Sequence, residues 1–388
     1  MLQNEVLRRI RTEMSHSLPE GRLHFTAHSH HPWPDSTEKA QLQAWRDATR
    51  HLDSKWDVIF SKVLPQSKKY LARLLGFQNP NLIVEGQNTF EFLTRLLSCY
   101  DFSQPLRILT TDSEFYSWTR LQNRIQEFSN IQIDTISTQP FETFVERFEK
   151  AHQSQNYDFI FSSLVFFNSG FYAQGLLESL MKSQCPTIVI DLYHALGAVD
   201  LNLNAYSERY YFTGGGYKYL SAGEGACFLT VPTKCELRPW QTGWFADFES
   251  LEKGVSQKTN YASGSSRMAG ATFDATAWYR FNAVQKWWDE IGLNPRLIHQ
   301  HVQDLQKYFT SQLEQQKTQW SPEDVLGYQS HPDWGNFLCL RTANPHQVVN
   351  SLREKNIFVD SRGEFVRFGF GYYQSFEEID LLFKALSK

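Results

Sequence analysis

Apolar residues recur along this chain with two different periods. Near the N-terminus Leu2, Val6, Ile10 and Met14 are spaced four apart, which predicts an amphipathic helix packed on the body of the protein. "VLPQSKKYLARLLGF" (63–77) and "LQNRIQEF" (121–128) also have helical spacing, and between them "RILTTD" (107–112) is a short strand candidate. The middle of the chain then carries compact, β-branched or aromatic runs: "FIFSSLVF" (159–166), "TIVIDLY" (187–193), "ERYYFTGG" (208–215) and "ACFLTVP" (226–232). Unbroken apolar runs of this length suit strands buried on both faces. Strands separated by helices predict an α/β architecture with a parallel sheet.

After about residue 280 the pattern changes. "FNAVQKWWDEIGL" and "HVQDLQKYFTSQLEQQ" are amphipathic helices. "WGNFLCLRT", "NIFVDS" and "FVRFGFG" are strands, "TANPHQVVNSLREKN" makes a helix between the first two, and "SFEEIDLLFKALSK" is a closing helix. The expected organisation is an N-terminal segment (1–55) packing with the small domain, a large domain (56–280) and a small α+β domain (281–388).

Composition narrows the classes. A formal net charge of −4 offers no basic excess to recommend nucleic acid or an anionic membrane as a partner. No 18-residue apolar run is present, and the first residues lack the apolar core of a signal peptide, so a cytoplasmic protein is expected. The five cysteines (Cys99, Cys185, Cys227, Cys235, Cys339) form no C-x-x-C pair, which argues for a reducing compartment and against a disulfide frame or zinc site. His28, His30 and His31 lie close together, but without carboxylate or cysteine partners they predict no metal centre. They are candidates for lining a substrate pocket. The 30 Phe, 17 Tyr and 11 Trp are enough for a large core, an interface and an aromatic wall for a planar ligand.

In open parallel sheets ligands sit at the carboxyl ends of strands. Asp191 ends "TIVID", Ser169-Gly170 follow "LVFFN", Lys218 follows "YYFTGGGY", and Thr89 stands where a loop enters a helix. Taken singly, Asp191 reads as well as a turn former, Thr89 as a helix cap, Ser169-Gly170 as a turn, and His194 as an ordinary core or surface histidine. Lys218 stands out because glycines and tyrosines frame it.

Together, "DLYHALGAVDLNL…FTGGGYKYLSAGEGACFL" resembles the core of the kynureninase-like enzymes, in the class V branch of the fold-type I pyridoxal-phosphate enzymes. The resemblance rests on Asp191, His194 and Gly197, followed by Tyr217-Lys218-Tyr219-Leu220. It implies an α/β large domain with a mostly parallel seven-stranded sheet plus a small α+β domain, and pyridoxal 5'-phosphate as cofactor. It implies that Lys218 forms a Schiff base with the cofactor and moves protons, with Tyr217 as helper. Asp191 would face the pyridine nitrogen and His194 would support the ring. Asn88-Thr89 and Tyr217 would bind the phosphate. Phe115 would stack on the ring and Ser169 would contribute a hydroxyl. Trp244 and Ser265 would reach the cofactor of a second subunit, which implies a homodimer with shared sites. Arg367, and secondarily Arg362, would hold the carboxylate of an amino-acid substrate, the alternative reading of each being a solvated arginine on an edge strand. The chain departs from that family where Trp118 replaces an aspartate expected near the cofactor, and at the "AHSHHPW" stretch. The activity implied first is hydrolytic β–γ C–C cleavage giving alanine and a carboxylic acid. The alternatives are class V transamination or β-elimination, and a non-catalytic cofactor-binding scaffold.

Overall fold

The computed structural model describes residues 2–253, 258–328 and 334–387. Its centre is a seven-stranded sheet built from β2 (Ile83–Gly86), β3 (Leu106–Thr111), β4 (Ile131–Ile136), β5 (Phe159–Ser163), β6 (Thr187–Asp191), β7 (Tyr211–Gly215) and β8 (Cys227–Thr230). The order across the sheet is β2-β8-β7-β6-β5-β3-β4. All neighbours are parallel except β8, which runs antiparallel to both β7 and β2. The four β-branched or aromatic runs of the middle of the sequence became β5 to β8. The four-residue β2, and β4 with its alternate polar residues, carry weaker apolar signals and were not individually foreseen.

Both faces of this sheet are covered, as a parallel sheet requires. Along β5, Ile160 faces one core while Phe159 and Phe161 face the other. The same alternation puts Ile188 and Ile190 against Val189 in β6, and Phe212 against Tyr211 in β7. Trp118 belongs to the second core. It is 1% exposed and its ring lies 4.3 Å from Phe161. The expectation that it lines the cofactor region is therefore corrected: the Tyr116–Ile125 helix turns it down onto the sheet.

Two small sheets complete the strands. β9 (Phe337–Arg341), β12 (Phe365–Gly369) and β11 (Asp360–Arg362) are antiparallel in the order β11-β12-β9. β1 (Leu23–His24) runs parallel to β10 (Ile357–Phe358), and Thr26 bridges to Gly369. The N-terminal segment is thus woven into the strands of the chain's last third. The N-terminal helix, Asn4–Glu13, buries Ile10, with Leu2 and Met14 beside its ends. The long helices Thr276–Ile291 and Pro295–Gln315 match the amphipathic segments read from the sequence. Asn294 caps the second by accepting the Leu297 N–H at 3.0 Å.

Candidate active site

The candidate residues converge at the carboxyl ends of β5, β6 and β7. In the sheet register Ser163 lies beside Asp191, and Asp191 beside Thr213. After Gly215 the chain folds into a tight loop. Gly216 N–H donates to Ala226 O, Ala222 N–H to Gly216 O, and Ser221 N–H to Lys218 O. Gly215 is required by a close approach, since a Cβ there would fall inside the contact distance of Tyr193 Oη and Cys227 Sγ.

This loop buries Lys218, which is 7% exposed. Its Nζ donates to His28 O at 2.8 Å and lies 3.0 Å from His194 Nε2. The rings of Tyr217 and Tyr193 stand 5.4 and 5.9 Å away. Burial, helped by the Arg367 charge, lowers the amine from 10.5 to about 7, against the pull of Asp191 and Asp360. A lysine tuned this way is partly unprotonated near neutrality and can act as a nucleophile and proton carrier.

Asp191 accepts one hydrogen bond, from Tyr193 N–H to Oδ1 at 2.6 Å. Burial raises its carboxyl to about 6. Nearby, Glu114 is wholly buried; it accepts from Thr111 Oγ1 at 2.7 Å and from Ser163 Oγ at 2.6 Å, and burial raises it to about 7. His194 is neutral, because burial and the Lys218 charge depress its pKa, and its Nδ1 has no partner.

Asn88 caps the Thr89–Leu97 helix, its Oδ1 accepting from Glu91 N–H at 2.8 Å. Its side chain is therefore engaged, and an anion here would meet the Thr89 hydroxyl and first-turn amides. Phe115 stays 44% exposed and sets its ring edge-on to Phe167 at 5.2 Å. Ser169 is buried and its Oγ accepts Phe171 N–H at 3.2 Å, at a turn completed by Gly170 with φ of +77°.

Arg367 is 3% exposed. Its Nε and Nη2 hold Asp360 at 2.8 and 2.5 Å, and Nη1 donates to Phe167 O at 2.7 Å. It is no solvated edge arginine. Arg362 is exposed, with its guanidinium 5.4 Å from the Tyr116 ring centroid. Trp244 is 40% exposed and stacks on Phe245 at 4.1 Å. Ser265 is buried, and its hydroxyl bonds to Asn81 O at 2.8 Å within its own chain rather than being presented to a neighbour.

Sequence reasoning missed Asp360, Glu114 and Asn168. Asn168 Oδ1 is buried without a partner. Of the histidines of "AHSHHPW", His28 meets the lysine directly. His28 sets its Nε2 3.0 Å from Asp360 Oδ1 and stacks on Phe337 at 4.6 Å, and His31 Nδ1 lies 2.7 Å from Ser221 Oγ. His30 remains exposed. Among the described residues no group of three or more His, Cys, Asp or Glu side chains converges as a metal would require, and no helix is long and apolar enough to cross a membrane.

No family model matches this chain, and no curated protein sequence matches it. Solved structures do. The C-DES variant with glycine covalently linked to its PLP cofactor superposes with a TM-score of 0.82 at 16% identity, over 97% of this chain and 98% of that one. The cystine C–S lyase C-DES with its product cysteine persulfide gives 0.78 at 16%, over 95% and 97%. The apo cysteine desulfurase of Thermococcus onnurineus NA1 gives 0.79 at 16%, over 99% and 98%. The fold is that of the PLP-dependent cysteine desulfurases and C–S lyases. At this identity the likeness is one of architecture, and it spans the desulfurase fold nearly end to end. The α/β class expected from the sequence is thereby established.

Proposed function

We propose that this chain is a pyridoxal-phosphate enzyme that breaks a bond at the β-carbon of an amino acid, in the manner of a β-eliminating C–S lyase. The observation that carries the reading is Lys218, a buried amine lowered to about 7 in the loop that follows β7, the strand whose Thr213 pairs with Asp191. The residues present fit the cofactor. Asp191 Oδ2 accepts no hydrogen bond among the described residues, His194 Nδ1 and Asn168 Oδ1 are buried and unpartnered, Phe115 keeps an open ring, and Thr89 opens a helix. Lys218 would carry the cofactor and then move the α-proton. Asp191 would hold the ring nitrogen, His194 and Asn168 its polar edge, and Ser169 the adjoining turn. When bound, the cofactor supplies an electron sink for the carbanion formed at the α-carbon.

A desulfurase that stores sulfur on its own cysteine needs an accessible thiolate. The five cysteines are free thiols; Cys185, Cys227, Cys235 and Cys339 are buried, and desolvation pushes Cys185, Cys227, Cys339 and the partly buried Cys99 up to about 12. That chemistry favours release of the leaving group to solution, as a lyase does. The kynureninase-type hydrolysis remains a second reading because "DLYHALG" and "YKYL" carry that family's pattern. A panel of amino acids incubated with the cofactor-loaded protein decides between them: pyruvate marks elimination, alanine with a carboxylic acid marks hydrolysis, and a keto acid with an aminated cofactor marks transamination. Absence of all three products from a protein that retains the cofactor would leave the scaffold reading.

The homodimer belongs to the same proposal. Phe60, Trp244 and Phe248 are 40, 40 and 50% exposed and surround Phe245, and Trp240 is 76% exposed. Exposed aromatics gathered around one ring suit a surface that a second copy would cover.

A further inference from the structure

Arg367 is held on several sides. On one face Nε and Nη2 grip the two oxygens of Asp360, its direct partner in the β11–β12 register. On another, Nη1 donates to Phe167 O. The guanidinium also lies 5.6 Å from the Phe337 ring centroid. A guanidinium has five N–H donors. Three are engaged, so one N–H remains on each terminal nitrogen.

Asp360 is itself fixed. Burial opposes its charge, but His28 and Arg367 together hold its carboxyl well below the usual carboxylate range. His28 donates from Nε2, leaving the unpartnered Nδ1 unprotonated. The same residue accepts Lys218 Nζ on its main-chain carbonyl. The positions of the arginine and the lysine are therefore tied through one residue.

We propose that Asp360 is a positioning residue that occupies the side-on face of Arg367, so that a substrate carboxylate docks only at the end-on pair of N–H groups. This rests on the reading of Arg367 as the carboxylate site. A free arginine offers two forks, and a carboxylate can bind either one in bidentate fashion. Docking in the wrong fork binds the substrate but displaces its α-carbon from Lys218. A misplacement of about 1 Å can cost about 100-fold in rate. Asp360 removes the wrong fork. The loss expected without it is therefore in turnover and not in affinity, which separates this role from simple support of the arginine.

The test uses cofactor-loaded protein and L-alanine, whose α-hydrogen exchange with D2O reports the lysine's chemistry without needing a leaving group. Affinity for L-alanine and for ethylamine is read by titrating the visible absorption. The parent should prefer L-alanine, and Arg367→Ala should lose that preference. Asp360→Ala should keep the L-alanine affinity within about 3-fold, or tighten it, while exchange at saturation falls about 10- to 100-fold. Asp360→Asn, which still fills the side-on face, should return exchange to within about 3-fold of the parent. The proposal is overturned if Asp360→Ala exchanges at the parental rate, or if it loses the carboxylate preference as Arg367→Ala does. If Arg367→Ala keeps the preference, the carboxylate reading itself fails and takes the proposal with it.

Discussion

At the scale of single residues, the site is a set of ionisable groups whose pKa values are moved mainly by burial. Glu114 and Asp191 are raised to about 7 and about 6 while Lys218 is lowered to about 7. A carboxyl with a raised pKa favours the folded state while it is protonated. For Glu114 that contribution is whole below about pH 4.5 and is lost as pH rises through about 7. The Glu114 contribution to the stability of the cofactor-free protein should therefore fall across this window, while buried His28 and His194, whose pKa values burial lowers, contribute in the opposite direction. Glu114→Gln should remove the Glu114 part, so that the difference between parent and variant changes by an amount on the order of 3 kcal/mol across the window. Urea denaturation at a series of pH values measures it, and parallel curves for parent and variant would show that Glu114 does not titrate there. The lysine, glycine and aspartate of this site were legible because their chemistry restricts residue choice at adjacent positions of the chain. Asp360 was not, because an aspartate in "NIFVDS" gains its meaning only when β11 pairs it with Arg367. Trp118 was misread for the opposite reason: its position in the chain suggested a cleft, and its helix face put it in the core.

At the scale of elements, β7 and the loop after it do most to shape the site. The sheet delivers Lys218 because three consecutive glycines, Gly214 to Gly216, let the strand end pass close to Tyr193 and Cys227. Gly215→Ala must push both of them aside, which should cost about 1–3 kcal/mol in stability. Because the displaced strand carries Lys218, the variant should also retain less cofactor, measured as bound cofactor per chain after dialysis. Full retention with parental stability would mean that the loop has more room than its packing indicates. Strand existence was readable for β5 to β8, where apolar runs are long and bounded by turn residues. It was not for β2 and β4, which are short or carry polar residues on one face. The reversed direction of β8 within the seven-stranded sheet also left no trace, since strand direction is set by the connection and not by composition.

At the scale of the whole molecule, the N-terminal segment is a structural member of the site. It pairs with β10, then sets His28 against Lys218 and His31 against Ser221 of the lysine loop. The exposed aromatic patch around Phe245 predicts association. Sedimentation of the parent should give a dimer, and Trp244→Ser with Phe248→Ser should shift it toward monomer while leaving the far-UV spectrum unchanged. A parent that sediments as a monomer at micromolar concentration with cofactor fully bound would contradict the shared-site arrangement. The central claim is that Lys218 carries the cofactor, and one measurement addresses it directly. The purified protein, incubated with pyridoxal phosphate, is reduced with borohydride, digested and mapped by mass spectrometry. The account predicts one modified lysine, Lys218, and none in Lys218→Ala. Modification at any other lysine, or none in the parent, would contradict it.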